Sequence, residues 1–499
     1  MLPLKFSYQN DHLTPDPLEK KPTHPNRIAN IENLSPLPLN PNYSPSTKLQ
    51  NHLTGRALLL DEIPFPLTEI QTHYLNGYLY YSKGITNQGK LECLRCGNTD
   101  HYLFGKMPCS RCCQACYYCR NCIMMGRVSE CSPLVRWSGP TPKHMTDSPL
   151  DWDGVLSQGQ KTASEKVVEA VIKKWDVLVW AVCGAGKTEV LFQGLNEALS
   201  LGLRVCIATP RTDVVLELAP RLRKVFPVIK PAALYGGSEE RHDYSQLTIA
   251  TTHQLFRFNE AFDVMIVDEV DAFPFSYDSS LQWAVEKARK NDSSKVLLTA
   301  TPNPKLQKEC KTGKQNFVTI PARYHRKPLP IPTFQWGGDW KKTFNKGKIP
   351  YPIREWVTSR LTIQKQALIF FPDIKIMEKA LPHFQTLHPE ILSVHAEDPV
   401  RKEKVQKMRN NEIPILLTTT ILERGVTIPN IDVAVIGADD ETFTESALVQ
   451  ISGRVGRSSN FPKGNITFFH FGRSRAMMKA LVHIDDMNKQ AKKRGLIDE

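Results

Sequence analysis

The sequence has 499 residues, enough for two or three domains with separate hydrophobic cores. Hydrophobic residues make up 41% of it and its net charge is +13, which predicts a largely globular chain that favours acidic partners, either nucleic acid or a membrane surface. No run of about 18 apolar residues occurs, which excludes a membrane-spanning helix. The opening MLPLKFSYQNDH lacks the features of a secretory signal, so a reducing cytoplasm is expected.

The beginning of the chain is rich in proline. The first 45 residues hold nine of the 36 prolines and few periodic apolar positions. This composition predicts a flexible N-terminal leader over residues 1–50. Residues 51–148, with short strand-like runs and most of the cysteines, are predicted to form a small separate domain.

Eight of the 12 cysteines lie in the stretch CLRCGNTDHYLFGKMPCSRCCQACYYCRNC, residues 93–122. They form the C-x-x-C pairs Cys93/Cys96, Cys109/Cys112, Cys113/Cys116 and Cys119/Cys122. Such pairs in a reducing compartment favour structural zinc over disulfides, with an iron–sulfur cluster or free thiols as the alternatives. One zinc takes four thiolates, so eight cysteines serve two ions, or one ion with spare thiols. His101 is predicted to be a surface residue, and the scattered Cys131, Cys183, Cys206 and Cys310 to be small buried hydrophobes.

From residue 152 onwards, short apolar runs alternate with spans long enough for helices. Five runs come before residue 303: VLVWAV (177–182), RVCIAT (204–209), LTIATT (247–252), VMIVDE (264–269) and KVLLTA (295–300). Five more come after residue 350: ALIFFP (367–372), ILSVHA (391–396), PILLTT (414–419), DVAVIGA (432–438) and NITFFH (465–470). This alternation is typical of parallel sheets, so two tandem α/β domains are predicted.

The first of these runs leads directly into CGAGKTE, a phosphate-binding loop. Gly184 and Gly186 would let backbone N–H groups point at phosphate oxygens, Lys187 would bind the β- and γ-phosphates, and Thr188 would hold Mg²⁺. The complete motif has glycine where this chain has Ala181. The position between a strand and a helix nevertheless predicts nucleotide binding.

The run VMIVDE ends in a pair of carboxylates, at the end of an apolar strand. Asp268 is predicted to hold the Mg²⁺ shell, and Glu269 to orient or deprotonate the attacking water. Both residues would serve the same nucleotide as the phosphate loop.

Further motifs resemble those of superfamily-2 helicases, over about residues 152–475. Gln160 resembles their adenine-reading glutamine, and ATPR (208–211), TTHQL (251–255) and LTTTILERGVTIPNIDV (417–433) resemble their strand-contacting motifs. TATP (299–302) and QISGRVGR (450–457) resemble the motifs at the cleft between the lobes. Arg454 and Arg457, three residues apart, would share a helix face and reach the γ-phosphate, with Gln450 beside the nucleotide.

This resemblance implies an α/β fold with two tandem RecA-like helicase lobes, preceded by a small cysteine-rich zinc-binding domain. The lobes are assigned to residues 149–325 and 326–499. ATP and Mg²⁺ are the implied cofactors. Strand contacts by motif position are assigned to Arg211, Thr251, Thr252 and Thr419. The basic, aromatic-rich segment 303–350 is either a second strand-binding surface or a solvated linker.

DEVDAFPF (268–275) and CRNCIMMGRVSEC (119–131) resemble late competence proteins of the ComFA family. That family consists of DNA-uptake ATPases akin to the primosomal helicase PriA. The resemblance implies a single-stranded DNA translocase, at the cytoplasmic face of the membrane, that works with a DNA-uptake channel and other competence proteins. It favours Cys93, Cys96, Cys119 and Cys122 as zinc ligands, with Cys109, Cys112, Cys113 and Cys116 as a second set. The alternatives are a PriA-like helicase of replication restart and an ATP-switched scaffold that does not translocate.

Overall fold

The computed structural model describes residues 4–18, 25–87, 89–142, 147–242, 244–424 and 428–498. The chain forms two compact units. The first comprises Met1–Asp153, Val168–Asp176 and Gln193–Leu297. The second comprises Gly154–Val167, Val177–Phe192 and Leu298–Glu499. The domain boundaries expected from the sequence, at residues 50, 148 and 325, stay predictions.

The N-terminal segment contains ordered structure. Strands β1 (Phe6–Gln9) and β2 (His12–Pro15) pair antiparallel, and Phe6 and Leu13 are buried. They belong to a cluster that also contains Ile28. A flexible leader was expected here from the proline content, whereas apolar residues of this segment such as Phe6, Leu13 and Ile28 are buried in a core. The remainder of that leader, residues 1–3 and 19–24, lies outside the described residues.

The rest of the N-terminal region is built from short elements. They are α1 (Thr47–Leu53), β3 (Ala57–Leu59), α2 (Leu67–Leu75), β4 (Leu79–Lys83), β5 (Ile85–Asn87), β6 (Leu91–Cys93), β7 (Phe104–Pro108), β8 (Ala115–Cys119) and β9 (Pro133–Trp137). Strand β9 pairs antiparallel with both β3 and β4, and β5–β6 and β7–β8 form antiparallel pairs. Two of these pairs end at cysteines of the cluster, which fixes where the thiols lie.

The next strands form the first large sheet, and helices alternate with them along the chain. They are α3 (Gln158–Lys173), β10 (Val177–Ala181), α4 (Lys187–Ser200), β11 (Val205–Thr209), α5 (Thr212–Val225), β12 (Ala232–Leu234), β13 (Leu247–Thr251), β14 (Phe262–Val267), α6 (Ser279–Ala288), β15 (Arg289–Thr299), α7 (Pro304–Lys311) and β16 (Asn316–Ile320). The strand order is β12-β13-β11-β14-β15-β10-β16. Strands β11 and β13 are buried along their whole length, as expected of continuous apolar runs in a parallel sheet.

The second sheet lies wholly in the second unit. Its elements are β17 (Thr333–Trp336), α8 (Trp340–Asn345), α9 (Tyr351–Thr362), β18 (Ala367–Phe370), α10 (Ile374–Gln385), β19 (Leu392–Val394), α11 (Arg401–Arg409), β20 (Ile415–Thr418), β21 (Asp432–Ile436), α12 (Glu445–Ser452), β22 (Ile466–His470) and α13 (Arg475–Lys493). Its order is β17-β22-β21-β18-β20-β19, with all pairs parallel. Each of the ten apolar runs contributes a strand, so the predicted α/β class with two parallel sheets is confirmed.

Candidate nucleotide and metal sites

The phosphate loop lies between β10 and α4, in the second unit. Gly184 and Gly186 have φ angles of +82° and +72°, a region that L-residues with a Cβ rarely adopt. Helix α4 begins at Lys187, so its first N–H groups are available to an anion in front of it. Lys187 and Thr188 are half-buried. The local geometry is therefore that of a phosphate cradle.

Gln160 supports this loop from α3. Its Nε2 donates to the carbonyl oxygens of Ala185 at 2.9 Å and Gly186 at 3.3 Å, and its Oε1 accepts from the N–H of Ser157 at 2.8 Å. Gln160 is 2% exposed. A Cβ on Gly186 would lie 2.3 Å from Gln160 Nε2, so a side chain there would displace the Gln160 amide from the loop carbonyls.

The segment QISGRVGR approaches the same loop within the second unit. The thiol of Cys183 donates to Oε1 of Gln450 at 3.0 Å. Arg323 donates from Nε to the carbonyl oxygen of Cys183 at 3.2 Å and from Nη1 to those of Val455, at 2.7 Å, and Gly456. Burial lowers the pKa of Arg323 to about 10, still above neutral pH, so the guanidinium stays charged. The Cys183–Gln450 hydrogen bond and the Arg323 guanidinium thus connect the phosphate loop to QISGRVGR.

The two predicted arginine fingers do not share a helix face. Helix α12 ends at Ser452, Arg454 lies in the turn that follows, and Arg457 lies directly after that turn. Gly453 caps the helix, and Gly456 has a φ of +69°, which is incompatible with helix continuation. Arg454 is 2% exposed and its Nε donates to the carbonyl oxygen of Glu423 at 3.1 Å, whereas Arg457 is half-buried.

The carboxylate pair ends β14 in the first unit. The N–H of Asp268 donates to the carbonyl oxygen of Ala208 on β11 at 2.8 Å, and Asp268 Oδ1 accepts from the N–H of Glu269 at 2.9 Å. Glu269 has a φ of +56°, an uncommon value for a residue other than glycine. Strained backbone of this kind is concentrated at functional sites, which agrees with the predicted role of the pair.

The residues assigned to strand contact differ in exposure. Arg211, two residues after the end of β11, and Thr419, directly after β20, are half-buried. Thr251 is 6% exposed and Thr252 is fully buried, so both side chains are largely withdrawn from the surface. His253, the next residue, is exposed. Residues 425–427 of the neighbouring motif lie outside the described residues.

The basic segment 303–350 is not a continuous surface. Trp340 and Phe344, each 2% exposed, pack in the core of the second sheet with Phe384. Trp336 and Tyr324 are exposed. About half of the segment consists of helices and strands of the two α/β domains, namely α7, β16, β17 and α8, and its aromatic residues are divided between core and surface.

Cys93, Cys96, Cys119 and Cys122 lie together in the first unit, all buried. The Sγ atoms are 3.9 Å apart for Cys93 and Cys122 and 3.6 Å apart for Cys96 and Cys119. Four thiolates around one zinc with Zn–S bonds of about 2.3 Å are separated by about 3.8 Å. The set therefore fits a tetrahedral zinc site.

Two asparagine side chains support this set. Asn98 Nδ2 donates to Cys119 Sγ at 3.8 Å, and Asn121 Nδ2 donates to Cys96 Sγ at 3.6 Å. Donors of this kind stabilise thiolate charge and orient metal ligands. The environment is thus suited to a charged four-sulfur centre, since a buried thiolate requires such partners.

A second set consists of Cys109, Cys112, Cys116 and Cys131, whose Sγ atoms all lie within 4.8 Å of one another. Cys116 Sγ is 3.3 Å from that of Cys112 and 3.6 Å from that of Cys131. The second set expected from the sequence contained Cys113 instead of Cys131. Cys113 is exposed with a φ of +56°, because it lies in the tight turn between β7 and β8.

The position of Cys131 is fixed by Arg111, whose Nη1 donates to the carbonyl oxygen of Cys131 at 3.0 Å and to Ser132 Oγ at 2.9 Å. Cys131 was expected to be a small buried hydrophobe, since it lies apart from the C-x-x-C pairs. The signal available in the sequence was its nearness to the cluster. A search limited to C-x-x-C pairs misses it.

Known proteins resemble the chain along nearly its whole length. It is 48% identical over 458 residues to the competence protein ComFA of Bacillus subtilis (strain 168), an alignment that covers 92% of this chain and 98% of that protein. It is 38% identical over 411 residues to the competence protein ComFA of Streptococcus pneumoniae (strain ATCC BAA-255 / R6), which covers 81% and 92%. The chain belongs to the ComFA family. The family resemblance expected from its motifs is thereby confirmed.

Three family models match successive parts of this ComFA-family chain, in the order that its motifs predict. The competence protein ComFA N-terminal domain matches residues 42–136, the DEAD/DEAH box helicase residues 161–309, and the helicase conserved C-terminal domain residues 353–459. A solved structure of the Mycobacterium smegmatis helicase Lhr bound to ssDNA and AMP-PNP aligns with a TM-score of 0.50 at 16% identity, covering 67% of this chain and 48% of that one. This likeness concerns the fold, and the prediction of two RecA-like helicase lobes is confirmed.

The helicase domains imply ATP and Mg²⁺ as cofactors. In the part of the chain that the structure describes, no helix has the length and hydropathy needed to cross a bilayer. Sequence reasoning missed Arg323, since an arginine in the run VTIPARYHR has no distinguishing pattern. Its role is visible only once the fold brings Cys183 and Val455 to the same side chain.

Proposed function

We propose that this ComFA-family chain is an ATP-dependent translocase that draws in single-stranded DNA during the uptake of transforming DNA. Family membership and the two helicase domains support this proposal. The observation that carries it is the hydrogen bond from Cys183 to Gln450. It joins the phosphate loop to QISGRVGR, the segment in which the arginine fingers were predicted.

The roles proposed for the nucleotide residues follow their positions in the motifs. Lys187, at the N-terminus of α4, would bind the phosphates, and Thr188 would supply an oxygen to Mg²⁺. Asp268 would be a second Mg²⁺ partner, and Glu269 would orient the attacking water. Bound ATP with Mg²⁺ supplies the phosphoryl group and much of the charge compensation.

The arginine residues would compensate the charge that develops during hydrolysis. Arg457 is half-buried and lies in the same segment as Gln450, where its Nε donates to the carbonyl oxygen of Gly453 at 3.0 Å. Arg454, almost fully buried, would act together with it. Charge compensation by an arginine is worth about 10³–10⁵ in kcat in related phosphoryl-transfer enzymes.

The proposed strand path uses Arg211 and Thr419, which follow strands of the two sheets. Because Thr251 and Thr252 are buried, contact at this motif would use backbone N–H groups and the exposed His253 rather than the threonine hydroxyls. Contacts of this type bind phosphates and do not read sequence. The net charge of +13 agrees with an acidic polymer as the substrate.

Both cysteine sets are proposed to hold zinc, which in a site with four thiolates has no open position for catalysis. The metal would therefore contribute to folding. We further propose that the chain works at the cytoplasmic face of the membrane, beside a DNA-uptake channel and other competence proteins. Membership of a competence family supports this location.

The test is ATP hydrolysis with and without single-stranded DNA. The wild-type rate is expected to rise on addition of DNA, and Lys187→Ala to reduce the stimulated rate by about 10²-fold or more, as for loss of a single charge-stabilising donor. Lys173→Ala is the matched control, since Lys173 is exposed and paired with Glu169. A wild-type rate that DNA does not change would contradict the translocase and favour an ATP-switched scaffold. A strand-separation assay distinguishes the proposed single-strand translocase from a helicase that unwinds duplex DNA.

A further inference from the structure

A single carboxylate connects the first cysteine set to the TTHQL motif. Glu62 Oε1 accepts from Arg95 Nη2 at 2.8 Å and from Arg257 Nε at 2.7 Å. Glu62 Oε2 accepts from Arg95 Nη2 at 3.0 Å and from the N–H of Leu59 at 3.0 Å. The carboxylate is therefore shared between two cations that belong to different parts of the first unit.

The first of these cations lies inside the metal-binding turn. Arg95 is one residue from Cys96 and two from Cys93, and its side chain has no exposed surface. A buried guanidinium requires a charge partner, and Glu62 is the acid that pairs with it among the described residues. The turn that carries Cys93 and Cys96 is thus held at a fixed position relative to Glu62.

The second cation, Arg257, is the last residue of the segment that follows Thr251, the first threonine of the TTHQL motif. Residues Thr252–Arg257 form a short 3₁₀ helix directly after β13, with Arg257 as its last residue. Arg257 also donates to Gln254 Oε1 within the same segment. Its side chain is 19% exposed, so its ion pair with Glu62 is largely shielded from solvent.

Lys287 provides an independent second link. Its Nζ donates to the carbonyl oxygen of Arg95 at 2.7 Å and to that of Phe256 at 2.8 Å. Trp283, one turn earlier on α6, packs against the backbone of Gly97. A Cβ on Gly97 would lie 2.5 Å from the indole ring of Trp283. Both links join the same two segments, the turn Cys93–Gly97 and the helix Thr252–Arg257.

The two segments also share apolar packing. Cys93, Cys96, Cys119 and Cys122 belong to one core cluster with Leu255, Phe256 and Phe258. Interiors are close-packed and transmit displacement, so a shift of the cysteine turn moves the 3₁₀ helix. Nothing in this arrangement requires the cysteines themselves to contact DNA.

We infer that Glu62 and Lys287 are positioning residues that couple metal at the first cysteine set to strand binding by residues 251–257. This inference rests on the proposed function, since it takes single-stranded DNA as the ligand of that segment. Coupling between two binding sites is reciprocal. Bound DNA therefore strengthens zinc binding by the same free energy with which zinc strengthens DNA binding, and slower release of zinc is the expected sign of this coupling.

The test uses the full-length, zinc-loaded chain, a chromophoric zinc chelator and a fluorescent oligodeoxythymidylate. In wild type, saturating DNA is expected to slow the release of one zinc equivalent about fivefold or more, the lower end of common coupling strengths. Arg257→Gln, which leaves the Arg95–Glu62 pair intact and removes one of the two links, is expected to lower that ratio toward 1, measured with DNA again at saturation. Arg223→Gln removes an arginine from the exposed pair with Glu240 and is the matched control.

A ratio for Arg257→Gln equal to that of wild type and Arg223→Gln overturns the coupling. Lys287→Met, which keeps side-chain volume and removes the second link, is a further check if Arg257→Gln proves unstable, and an unchanged ratio in it also overturns the coupling. Failure of wild type to bind the oligonucleotide at low salt refutes the proposed function and this inference together. Binding with the same zinc release in the presence and absence of DNA refutes the inference alone.

Discussion

Cys183 and Gln450, 267 positions apart, are joined by a hydrogen bond of 3.0 Å between a thiol and an amide oxygen. A Cβ on Gly453 would lie 2.4 Å from Cys183 Cβ, so the approach of the two segments also depends on a residue without a side chain. The phosphate loop and the QISGRVGR segment are therefore in direct contact within the second unit. This contact makes the loop and the segment testable as one site.

Replacement of Arg457 by alanine should lower kcat for ATP hydrolysis about 10³-fold or more, because an arginine finger acts on the transition state. Nucleotide affinity, measured with a fluorescent ATP analogue, should change little. Arg475→Ala, at the exposed start of α13, is the control and should retain the wild-type rate. Equal rates for the two variants would exclude Arg457 as a finger.

Gly186→Ala should weaken ATP binding at least about tenfold. A residue with a Cβ at a φ of +72° costs about 1–2 kcal/mol, and each 1.4 kcal/mol is about tenfold in affinity. The contact with Gln160 Nε2 adds to this cost. Gly472→Ala is the control, since a Cβ there meets nothing within 4 Å. Calorimetric titration of both variants with ATP measures the difference, and unchanged affinity for Gly186→Ala would contradict the cradle.

The zinc content of the full-length chain should be two ions. Cys131→Ser should lower it to one, because Cys131 is a member of the second set. Cys113→Ser should leave it at two, since Cys113 is exposed. Metal analysis after denaturation counts the ions. If instead Cys113→Ser lowered the zinc content to one ion and Cys131→Ser left it at two, Cys113 would be the ligand, as C-x-x-C spacing predicts.

Binding to single-stranded DNA should weaken steeply with salt. The slope is about 0.7 per contacted phosphate, so four contacts weaken binding about fiftyfold between about 50 and about 200 mM salt. Arg211→Gln should reduce the slope, whereas Lys224→Gln, on the exposed end of α5, should leave it unchanged. Fluorescence anisotropy at several salt concentrations gives both slopes. A flat response in wild type would argue against phosphate contacts.

The two parallel sheets were predictable because apolar runs of six or seven residues in an α/β alternation have few other structural solutions. All ten runs became strands, from β10 to β22. The phosphate loop was predictable for a similar reason, since its glycines and Lys187 are adjacent in sequence. Local pattern was sufficient wherever the chemistry was local.

Long-range contacts were not predictable in this way. The carboxylate of Glu62 meets Arg95 and Arg257, and no periodicity relates these three positions. The end of α12 was expected later than Ser452, because the spacing of Arg454 and Arg457 suggested a helix, although Gly453 and Gly456 indicate its end. The buried threonines 251 and 252 show the same limit, since motif position does not determine exposure.

The core that the first cysteine set shares with Phe256 and Phe262 has a consequence for synthesis of the chain. Translation proceeds at about 5–20 residues per second, so the cysteine-rich region leaves the ribosome well before the residues that cover it. Until β14 and α6 have been made, the apolar side of that region has no permanent cover. A nascent chain paused before residue 256 would therefore expose an apolar surface that a chaperone can recognise. Chains truncated before that residue should aggregate rather than fold.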